Sequence, residues 1–303
     1  GSRAHEVTTY RIDGEYEDSR HPKQVEFTRN LDEDLKRRDF TINAMAYNDQ
    51  SGLVDLYGGI DDLQKKRIRC VGNPEERFGE DALRILRAFR FSAQLGFQIE
   101  EETRTAARKL APSLRQISAE RIAVELTKLL VSDRPEYLRN AWEAGITEIV
   151  LPEFDLLMKT PQNNPHHRFS VGGHTLESLR YVPADRVLRW TMLLHDMGKP
   201  KCRTTDEEGV DHFKGHGRAG VELAKEILRR LKCDNDTIRK VSVLIQWHDC
   251  RMNAEEKAVR RIMSRITPEL FRLLMDVQYA DAMAQSEYRR KEKLERIEKV
   301  RRV

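Results

Sequence analysis

The chain has 303 residues, 34% of them charged and 39% hydrophobic, with a formal net charge of +4. This length allows a sizeable core in about two or three domains, and no apolar run approaches the roughly 20 residues of a membrane helix. The opening Gly1-Ser2-Arg3 carries no signal-peptide pattern. The four cysteines show no Cys-x-x-Cys spacing, so they indicate neither a disulfide framework nor a zinc finger. They predict that the protein resides in the reducing cytoplasm.

The start of the chain contains short β-branched and aromatic runs that predict strands at 7–11, 24–28 and 52–57. From Pro74 onward, apolar residues recur at helical spacing, which predicts an almost entirely helical remainder. Helices are predicted first at 80–95, 118–130 and 135–144. The sequence therefore predicts a mainly α fold with a small, partial α/β portion at its start.

A polar, proline-bounded loop at 160–165 predicts a domain boundary. Beyond it, helices are predicted at 187–195, 220–231, 237–247 and 268–283. The last fifteen residues hold eight Lys or Arg against three Glu and predict a basic helical tail. Such a run is usually a solvated face, and contact with RNA is the alternative interpretation.

The segment from Arg37 to Ala46 brings two guanidiniums, a carboxylate and an amide to the start of a predicted helix. A helix N-terminus beside arginine favours phosphate, while Asp39 and Asn43 are able to hydrogen-bond to ribose hydroxyls. A capped helix with surface charges is the simpler alternative.

A second polar group, Asp81, Arg84, Arg87 and Arg90, recurs every three residues and predicts a stripe along one helix. Aspartate accepts from an exocyclic amino group and arginine donates to ring nitrogens and carbonyls, so a pair one turn apart can read the edge of a base. An exposed salt bridge worth about 0.2–0.5 kcal/mol has the same spacing. Spacing alone leaves both interpretations open.

Three segments, taken together, decide between these interpretations. They read RRDFTINAMAYN, LVDLYGGIDDL and RIRCVGNPEERFGEDALRILRAFRF. In order and spacing they resemble the successive motifs of the class II CCA-adding tRNA nucleotidyltransferases and the related bacterial poly(A) polymerases. The resemblance implies an enzyme that adds CTP and ATP to the tRNA 3′ end, or one that adds poly(A), and that uses magnesium.

The resemblance also implies roles for individual residues. Arg38, Asp39 and Asn43 would hold the ribose and triphosphate of the incoming nucleotide. A protein template for CTP and then ATP would consist of Asp81 and Arg84, with Arg87 and Arg90 in support. A flexible connection between head and neck would consist of Asp55, Gly58, Gly59 and Asp62.

One part of the family pattern does not appear in the sequence. Members of the family begin with a Gly-Gly turn and an Asp-x-Asp pair that binds two magnesium ions, and neither precedes Glu6. Asp32-Glu33-Asp34 has the letters of that pair but comes too late in the order. Because nucleotidyl transfer needs these metal ligands, we expect this chain to be inactive in nucleotide addition. Glu6 is a candidate for the third catalytic carboxylate of the family, and a plain strand-edge glutamate is the alternative.

The second half of the chain contains a separate set of imidazoles and carboxylates. Such side chains, contributed by several helices, are able to converge on one divalent metal. A lone histidine is more often a satisfied core residue, but six potential ligands in order favour a metal site. They are His174, His195, Asp196, His216, His248 and Asp281.

This second set resembles the HD superfamily of metal-dependent phosphohydrolases. The resemblance implies a primary metal set of His174, His195, Asp196 and Asp281, with His216 and His248 holding a second metal or a substrate phosphate. Lys199 would help with phosphate charge, and an ordinary helix-end lysine is the alternative. The identity of the metal stays open, because imidazole and carboxylate ligands suit several divalent ions.

The two resemblances together predict four segments. These are the C-terminal part of a nucleotidyltransferase head at 1–72, a helical neck with the template helix at 73–160, an HD metal-binding domain at 161–286 and the basic tail at 287–303. CCA addition is the favoured function. The alternatives are an HD phosphohydrolase acting on nucleotide or RNA ends and a non-catalytic RNA-binding remnant. The expected partners are the tRNA 3′ end, CTP and ATP, with no membrane.

Overall fold

The structure, a computed structural model, describes residues 8–13, 25–164, 166 and 168–303. Residue contacts divide the chain into two compact units. Unit 1 comprises residues 1–118 with 144–146, and unit 2 comprises residues 119–143 with 147–303. The four-segment division drawn from the sequence stays a prediction.

Unit 1 combines short strands with helices. Its strands pair antiparallel as β1 with β2 and β3 with β4, whereas β5 and β6 pair in parallel. The strands are β1 (Arg11–Asp13), β2 (Val25–Phe27), β3 (Met45–Asn48), β4 (Gly52–Asp55), β5 (Arg67–Ile68) and β6 (Gln98–Ile99). The helices are α1 (Leu31–Lys36), α2 (Gly59–Gln64), α3 (Pro74–Glu80), α4 (Leu83–Leu95) and α5 (Glu101–Leu110), with 3-10 turns at Thr41–Asn43 and Ala111–Gln116.

Unit 2 is helical apart from one short antiparallel pair of strands, β7 (Thr204–Thr205) with β8 (Asp211–His212). Its first helices are α6 (Ala119–Leu130), α7 (Leu138–Glu143), α8 (Thr147–Val150), α9 (Pro152–Lys159), α10 (Val171–Leu179), α11 (Arg186–Leu194) and α12 (Lys199–Cys202). The later helices are α13 (His216–Arg230), α14 (Asn235–Trp247), α15 (Glu256–Ile266), α16 (Pro268–Ala284) and α17 (Arg290–Arg302), and a 3-10 turn lies at Pro135–Tyr137.

Each unit buries its own apolar side chains. Phe40, Phe78 and Phe89 are almost completely buried in unit 1. Trp190 is completely buried in unit 2, and its indole nitrogen donates to Thr127 Oγ1 at 3.0 Å. The prediction of a mainly α fold with a partial α/β portion is confirmed. None of the helices in the described ranges is both long enough and apolar enough to cross a membrane.

Two predictions about local structure were wrong. The segment after Arg37 does not begin an α-helix, because Thr41–Asn43 forms a 3-10 turn and Met45–Asn48 enters a β-hairpin with β4. The stripe from Asp81 to Arg90 is not on one helix either. Asp81 has an extended backbone (φ −145°, ψ 103°) that separates α3 from α4.

Some elements also begin or end at residues other than those predicted. The first strand begins at Arg11 rather than at residue 7, and Val7 lies outside the described residues. After Pro74, the short strands β6, β7 and β8 interrupt the predicted helical remainder. These are two-residue strands, too short to produce a recognisable alternation in the sequence.

Candidate functional site: a nucleotide cluster and a metal centre

Asp39 is the centre of the first cluster, in unit 1. Its side chain is only 7% exposed. One carboxylate oxygen accepts from Asn43 Nδ2 at 2.6 Å, and the other accepts from Arg87 Nε at 2.5 Å. Asp39 therefore fixes the segment before β3 to α4, a helix that starts more than forty residues later in the sequence.

Arg84 connects the same two segments through the backbone. Its guanidinium donates to the carbonyl oxygen of Arg77 at 2.9 Å, to the carboxylate of Glu80, and to the carbonyl oxygen of Arg37 at 3.2 Å. The side chain is buried. Asp81 lies three residues before it, and its carboxylate accepts from the backbone N–H of Leu83, the first residue of α4, at 3.0 Å.

The two arginines ahead of Asp39 share one buried carboxylate. Arg37 donates to Asp34 Oδ1 from Nε at 2.9 Å, and Arg38 donates to Asp34 Oδ2 at 2.9 Å. Burial alone would raise the pKa of Asp34, but the hydrogen bonds from Arg37 and Arg38 outweigh it and lower that pKa. Asp34 is thus held as an ion-pair partner, while 42% of the Arg38 side chain remains exposed.

Arg90 is placed differently from the other predicted nucleotide ligands. Its guanidinium lies over the ring of Phe91 at 3.7 Å and donates to Gln94 at 2.8 Å, and the side chain is 7% exposed. Phe91 meets Phe40 edge to face at 5.7 Å. Arg90 therefore supports the aromatic packing under α4.

Two sets of hydrogen bonds, one around Asp39 and one through Arg84, both join the segment from Arg37 to Asn43 to α4. The roles of these residues with a nucleotide stay predictions.

Glu6, the predicted catalytic carboxylate, lies outside the described residues.

The predicted head-to-neck connection is closely packed in this structure. Asp55 accepts from the backbone N–H groups of Gly59 and Ile60 at 2.8 and 2.9 Å. A Cβ added at Gly59 would lie 2.4 Å from the Thr41 carbonyl oxygen, so only glycine fits there. The predicted flexibility of this segment stays a prediction.

The second cluster, in unit 2, consists of the six predicted metal ligands. They lie at helix ends or inside helices: His174 in α10, His195 and Asp196 just after α11, His216 at the start of α13, His248 just after α14 and Asp281 in α16. Two groups have potential ligand atoms within 4.8 Å of one another. The groups are His174, His195 and Asp281, and then Asp196, His216 and His248.

Asp196 connects the two groups of ligands. Its Oδ2 lies 3.2 Å from His195 Nε2, and its Oδ1 lies 3.7 Å from His216 Nε2. Lys199 Nζ donates to the same carboxylate at 2.8 Å. The predicted primary set thus differs in detail from the geometric groups, since Asp196 is grouped with His216 and His248.

Backbone hydrogen bonds set the tautomer of three of these histidines. The Nδ1–H groups of His195, His216 and His248 donate to carbonyl oxygens three residues earlier, at 2.8, 2.9 and 2.6 Å. Each Nε2 is therefore left as the ligand atom, which is the arrangement that supports metal binding by histidine. His216 Nε2 and His248 Nε2 lie only 3.3 Å apart.

The electrostatics of the cluster also favour a bound cation. Burial opposes a charge on His195, but the carboxylates of Asp196 and Asp281 outweigh it and raise the pKa of His195 to about 10. Burial likewise opposes ionisation of Asp196, yet His195 and Lys199 hold its pKa well below the usual range. A proton on His195 Nε2 offsets the charge of these carboxylates, and a divalent metal that replaces this proton fits the same donor set.

A cleft of about 650 Å³ opens onto the second cluster. Its lining includes Asp196, His216, His248 and Asp281 together with the cations Lys199, Lys214 and Arg218. Asp281 is 23% exposed, so its carboxylate is reachable from the cleft. The cleft therefore places three cations beside the potential metal ligands, an arrangement that suits a phosphate ester bound to a metal.

Three residues that support the cluster were missed at the sequence level. Gln285 Nε2 donates to Asp281 Oδ2 at 2.7 Å, and Gln162 accepts from Lys199 at 2.6 Å. Gly198 allows α12 to approach α13, because a Cβ there would lie 2.1 Å from the His216 carbonyl oxygen. The sequence spacing alone could have identified Gln285, because residues four apart are neighbours on a helix surface and Gln285 follows Asp281 by four.

Comparison with known families matches three stretches of the chain. Residues 1–69 match the poly A polymerase head domain, residues 96–158 match the probable RNA and SrmB-binding site of polymerase A, and residues 166–289 match the HD domain. This order defines a class of protein: a polymerase head segment and RNA-binding region followed by an HD domain. The chain belongs to the class II family of CCA-adding nucleotidyltransferases that carry an HD domain.

Curated relatives agree with this assignment. The CCA-adding enzyme of Streptococcus suis is 52% identical over 251 residues, which are 83% of this chain and 55% of that protein. The CCA-adding enzyme of Streptococcus mutans is 34% identical over 281 residues, which are 92% of this chain and 62% of that protein. The chain thus spans less than two thirds of the length of these relatives.

A solved structure is also similar over nearly the whole chain. The Bacillus stearothermophilus CCA-adding enzyme in complex with CTP superposes with a TM-score of 0.63 at 26% identity, over 98% of this chain and 62% of that one. The similarity supports the fold described above.

Proposed function

We propose that this chain selects CTP and ATP for addition to the 3′ end of tRNA. The observation that carries the proposal is the network around Asp39, which ties the Arg37–Asn43 segment to Arg87 of α4 through a buried carboxylate. The segments joined in this way are those that resemble the nucleotide-handling motifs of CCA-adding enzymes. The curated relatives carry that name, and one solved relative contains CTP.

The proposal gives each group a task. Arg38, partly exposed beside Asp39, faces the triphosphate, while Asp39 and Asn43 hold the ribose. Asp81 and Arg84 read the base edge at the start of α4, with Arg87 and Arg90 holding the helix and its neighbours in place. Because Arg84 already donates to backbone carbonyls, it is oriented before a base arrives, which lowers the entropic cost of recognition.

Nucleotide binding by the purified chain tests this proposal. We expect CTP to bind in the presence of magnesium, and Asp39→Ala to weaken binding about tenfold or more, because Arg87 and Asn43 lose the carboxylate that positions them. Asp61→Ala is the matched control, since Asp61 is half exposed and pairs with Lys65 on the surface of α2. Equal CTP affinity in wild type and Asp39→Ala, measured by calorimetry, would contradict the proposal.

Nucleotide addition is a separate question from nucleotide binding. The Asp-x-Asp letters at Asp32 and Asp34 do not supply the catalytic pair, because Asp34 is buried and engaged with two arginines. We therefore expect these 303 residues to bind CTP without transferring it to tRNA that lacks its 3′ end. Incorporation of labelled CTP or ATP would show that another carboxylate set holds the magnesium ions.

The substrate also indicates where the protein works. A protein that handles tRNA 3′ ends with nucleoside triphosphates belongs in the cytoplasm, which agrees with the four scattered cysteines, all of them free in this structure.

A second activity, phosphate ester hydrolysis by the HD domain, is favoured by the preset tautomers of His195, His216 and His248. A divalent metal held by the six ligands would polarise a phosphoryl oxygen and activate a water molecule. Side chains of the protein orient the ligands. Gln285 donates a hydrogen bond to Asp281, and Lys199, which lines the cleft, pairs with Asp196. The metal identity and the natural ester stay open.

Hydrolysis of bis(p-nitrophenyl) phosphate in manganese, nickel or magnesium tests this second candidate. We expect activity in wild type and a loss of at least a hundredfold in His195→Ala and Asp196→Ala, together with loss of bound metal. His212→Ala is the control, because His212 lines the cleft but pairs with Asp206 outside both ligand groups. Equal rates in all variants would remove the cleft from the catalytic sites.

A further inference from the structure

A small second cavity adjoins the metal cleft in unit 2. It has a volume of about 60 Å³, enough for a few water-sized groups or for one phosphate group. Its lining shares His248, Asp249, Asp281 and Gln285 with the cleft. A ligand bound to the metal ligands would therefore have this cavity directly beside it.

Three cations line this cavity. Arg251 follows α14, and Lys293 and Arg296 lie on α17, the predicted basic tail. Within the described ranges, the guanidiniums of Arg251 and Arg296 have no hydrogen bond or ion pair with a protein group. Other arginines of α17 do have such partners, since Arg301 pairs with Asp276. The two arginines therefore line the cavity without a carboxylate in direct contact with either guanidinium.

Lys293 is fixed between the cavity and the metal ligands. Its ammonium donates to Gln285 Oε1, and Gln285 in turn donates to Asp281. Burial lowers the pKa of Lys293, and Arg251 and Arg296 lower it further, while Asp281 acts in the opposite direction. Burial, and after it the charges of Lys293, Arg289 and Arg251, lower the pKa of the His166 imidazole.

The charges of the lining match one particular ligand. Three cations stand against two carboxylates, Asp249 and Asp281, which leaves one positive charge in excess. A phosphodiester carries a single negative charge and several acceptor oxygens, and arginine binds such groups with paired N–H donors. Aromatic or apolar side chains that would hold a base are nearly absent from this lining, which includes only Ile297 and Ala282 as hydrocarbon groups.

We propose that Arg251, Lys293 and Arg296 form a subsite for a backbone phosphate of a nucleic acid strand whose neighbouring phosphate lies at the metal cleft. The strand part of this proposal rests on the RNA substrate of the proposed function. The subsite explains the basic character of α17: one face packs through Ile297 and Val300, and another contributes cations to the cavity. It also predicts that the HD domain prefers oligonucleotides to mononucleotides.

Binding of a fluorescent tetranucleotide to the manganese-loaded chain tests the subsite. In Arg251→Ala/Arg296→Ala we expect affinity at low salt to fall about tenfold or more. The slope of log affinity against log salt should become shallower by about 0.7, because the contact with one phosphate is lost. The control, Lys291→Ala/Lys299→Ala, removes the same charge from exposed positions of α17 outside the cavity and should leave the slope unchanged. Equal loss in both double variants, or no loss in either, would overturn the proposal.

Cys250 allows binding at this cavity to be measured directly, because it is a free cysteine that lines the cavity and is partly exposed. We expect inorganic phosphate and the tetranucleotide each to slow alkylation of Cys250 several-fold, with no effect on Cys233, as measured by mass spectrometry of the peptides. The protection should disappear in Arg251→Ala/Arg296→Ala and return in Arg251→Lys/Arg296→Lys.

The two probes separate the anion site from the strand. Protection by phosphate but not by the tetranucleotide would refute the nucleic acid ligand, and protection by neither would refute the subsite itself. Failure of CTP binding would instead contradict the proposed nucleotide selection, which is measured in unit 1. Equal melting midpoints of all variants show that a loss of binding is not a loss of folding.

Discussion

Single carboxylates carry much of the organisation of unit 1, and Asp62 illustrates how. It is completely buried, yet it accepts from Thr41 Oγ1 at 2.6 Å, from Arg67 at 2.5 Å and from Arg69 at 2.8 Å. Burial would raise the pKa of Asp62, but these hydrogen bonds outweigh it and lower the pKa. Asp62 thus holds α2, β5 and the turn before β3 together.

We predict that Asp62→Asn lowers the free energy of unfolding by about 2 kcal/mol near neutral pH, because Arg67 and Arg69 lose a charged acceptor. A carboxyl with a lowered folded-state pKa stabilises the protein above its unfolded pKa of about 3.9, and this stabilisation is lost as the pH falls through the folded-state value. Urea titrations should therefore show a difference between wild type and Asp62→Asn that is largest at pH 6–7 and shrinks below pH 4. A constant difference would mean that the charge of Asp62 is not the cause.

At the level of elements, the ligands of the second cluster depend on close helix packing. The turn after His195 approaches the first turn of α13, and a Cβ at Gly198 would lie 2.1 Å from the His216 carbonyl oxygen and 2.6 Å from Gly220 N. These are backbone atoms, so a side chain cannot be accommodated by a rotamer change. Gly198 therefore determines the position of His216.

We predict that Gly198→Ala displaces the start of α13, reduces bound metal at least tenfold and destabilises unit 2 by about 2 kcal/mol or more. Gly217→Ala is the matched control, because it lies in the same first turn of α13 with no atom within 4 Å of the added Cβ. Metal content after dialysis and thermal unfolding would be measured for both. Normal metal content in Gly198→Ala would contradict the argument.

Two glycines near the proposed template residues differ in backbone conformation. α4 ends at Gly96 with a left-handed backbone (φ +71°), where an added Cβ is strained. Gly79 lies inside α3, and an added Cβ there meets nothing within 4 Å. We predict that Gly96→Ala lowers the free energy of unfolding by about 1 kcal/mol, whereas Gly79→Ala raises it by about 0.5 kcal/mol. Chemical unfolding of the two variants in parallel checks this, and effects of the same sign would refute it.

For the whole molecule, the division of sites between units leads to one further prediction. All six potential metal ligands belong to unit 2, and all the residues of the nucleotide cluster belong to unit 1. Manganese at about 100 times its dissociation constant should stabilise unit 2 by about 2.7 kcal/mol. Hydrogen exchange should therefore slow in peptides of α10, α11 and α14 and stay unchanged in α4. Removal of the metal with a chelator should reverse the effect, and equal slowing in both units would contradict it.

The sequence alone determined the family, the mainly α fold and the residues worth examining. Motif order is a property of the chain, so the segments around Asp39 and Arg84 and the His195-Asp196 pair were recognisable without coordinates. Helical periodicity located the long helices α4, α14 and α16 to within a few residues. Their apolar faces repeat over several turns, which makes the pattern robust.

Only the tertiary structure decided how these residues are used. Asp81 fits a helical stripe by spacing, but its backbone is extended and its carboxylate accepts from the Leu83 N–H at the start of α4. Local hydrogen bonds rather than periodicity determine this conformation. The pairing of Asp39 with Arg87 and the cavity shared by Arg251 and Arg296 join residues that are 45 or more positions apart. No sequence pattern encodes such distances, because they arise when separate elements pack against one another.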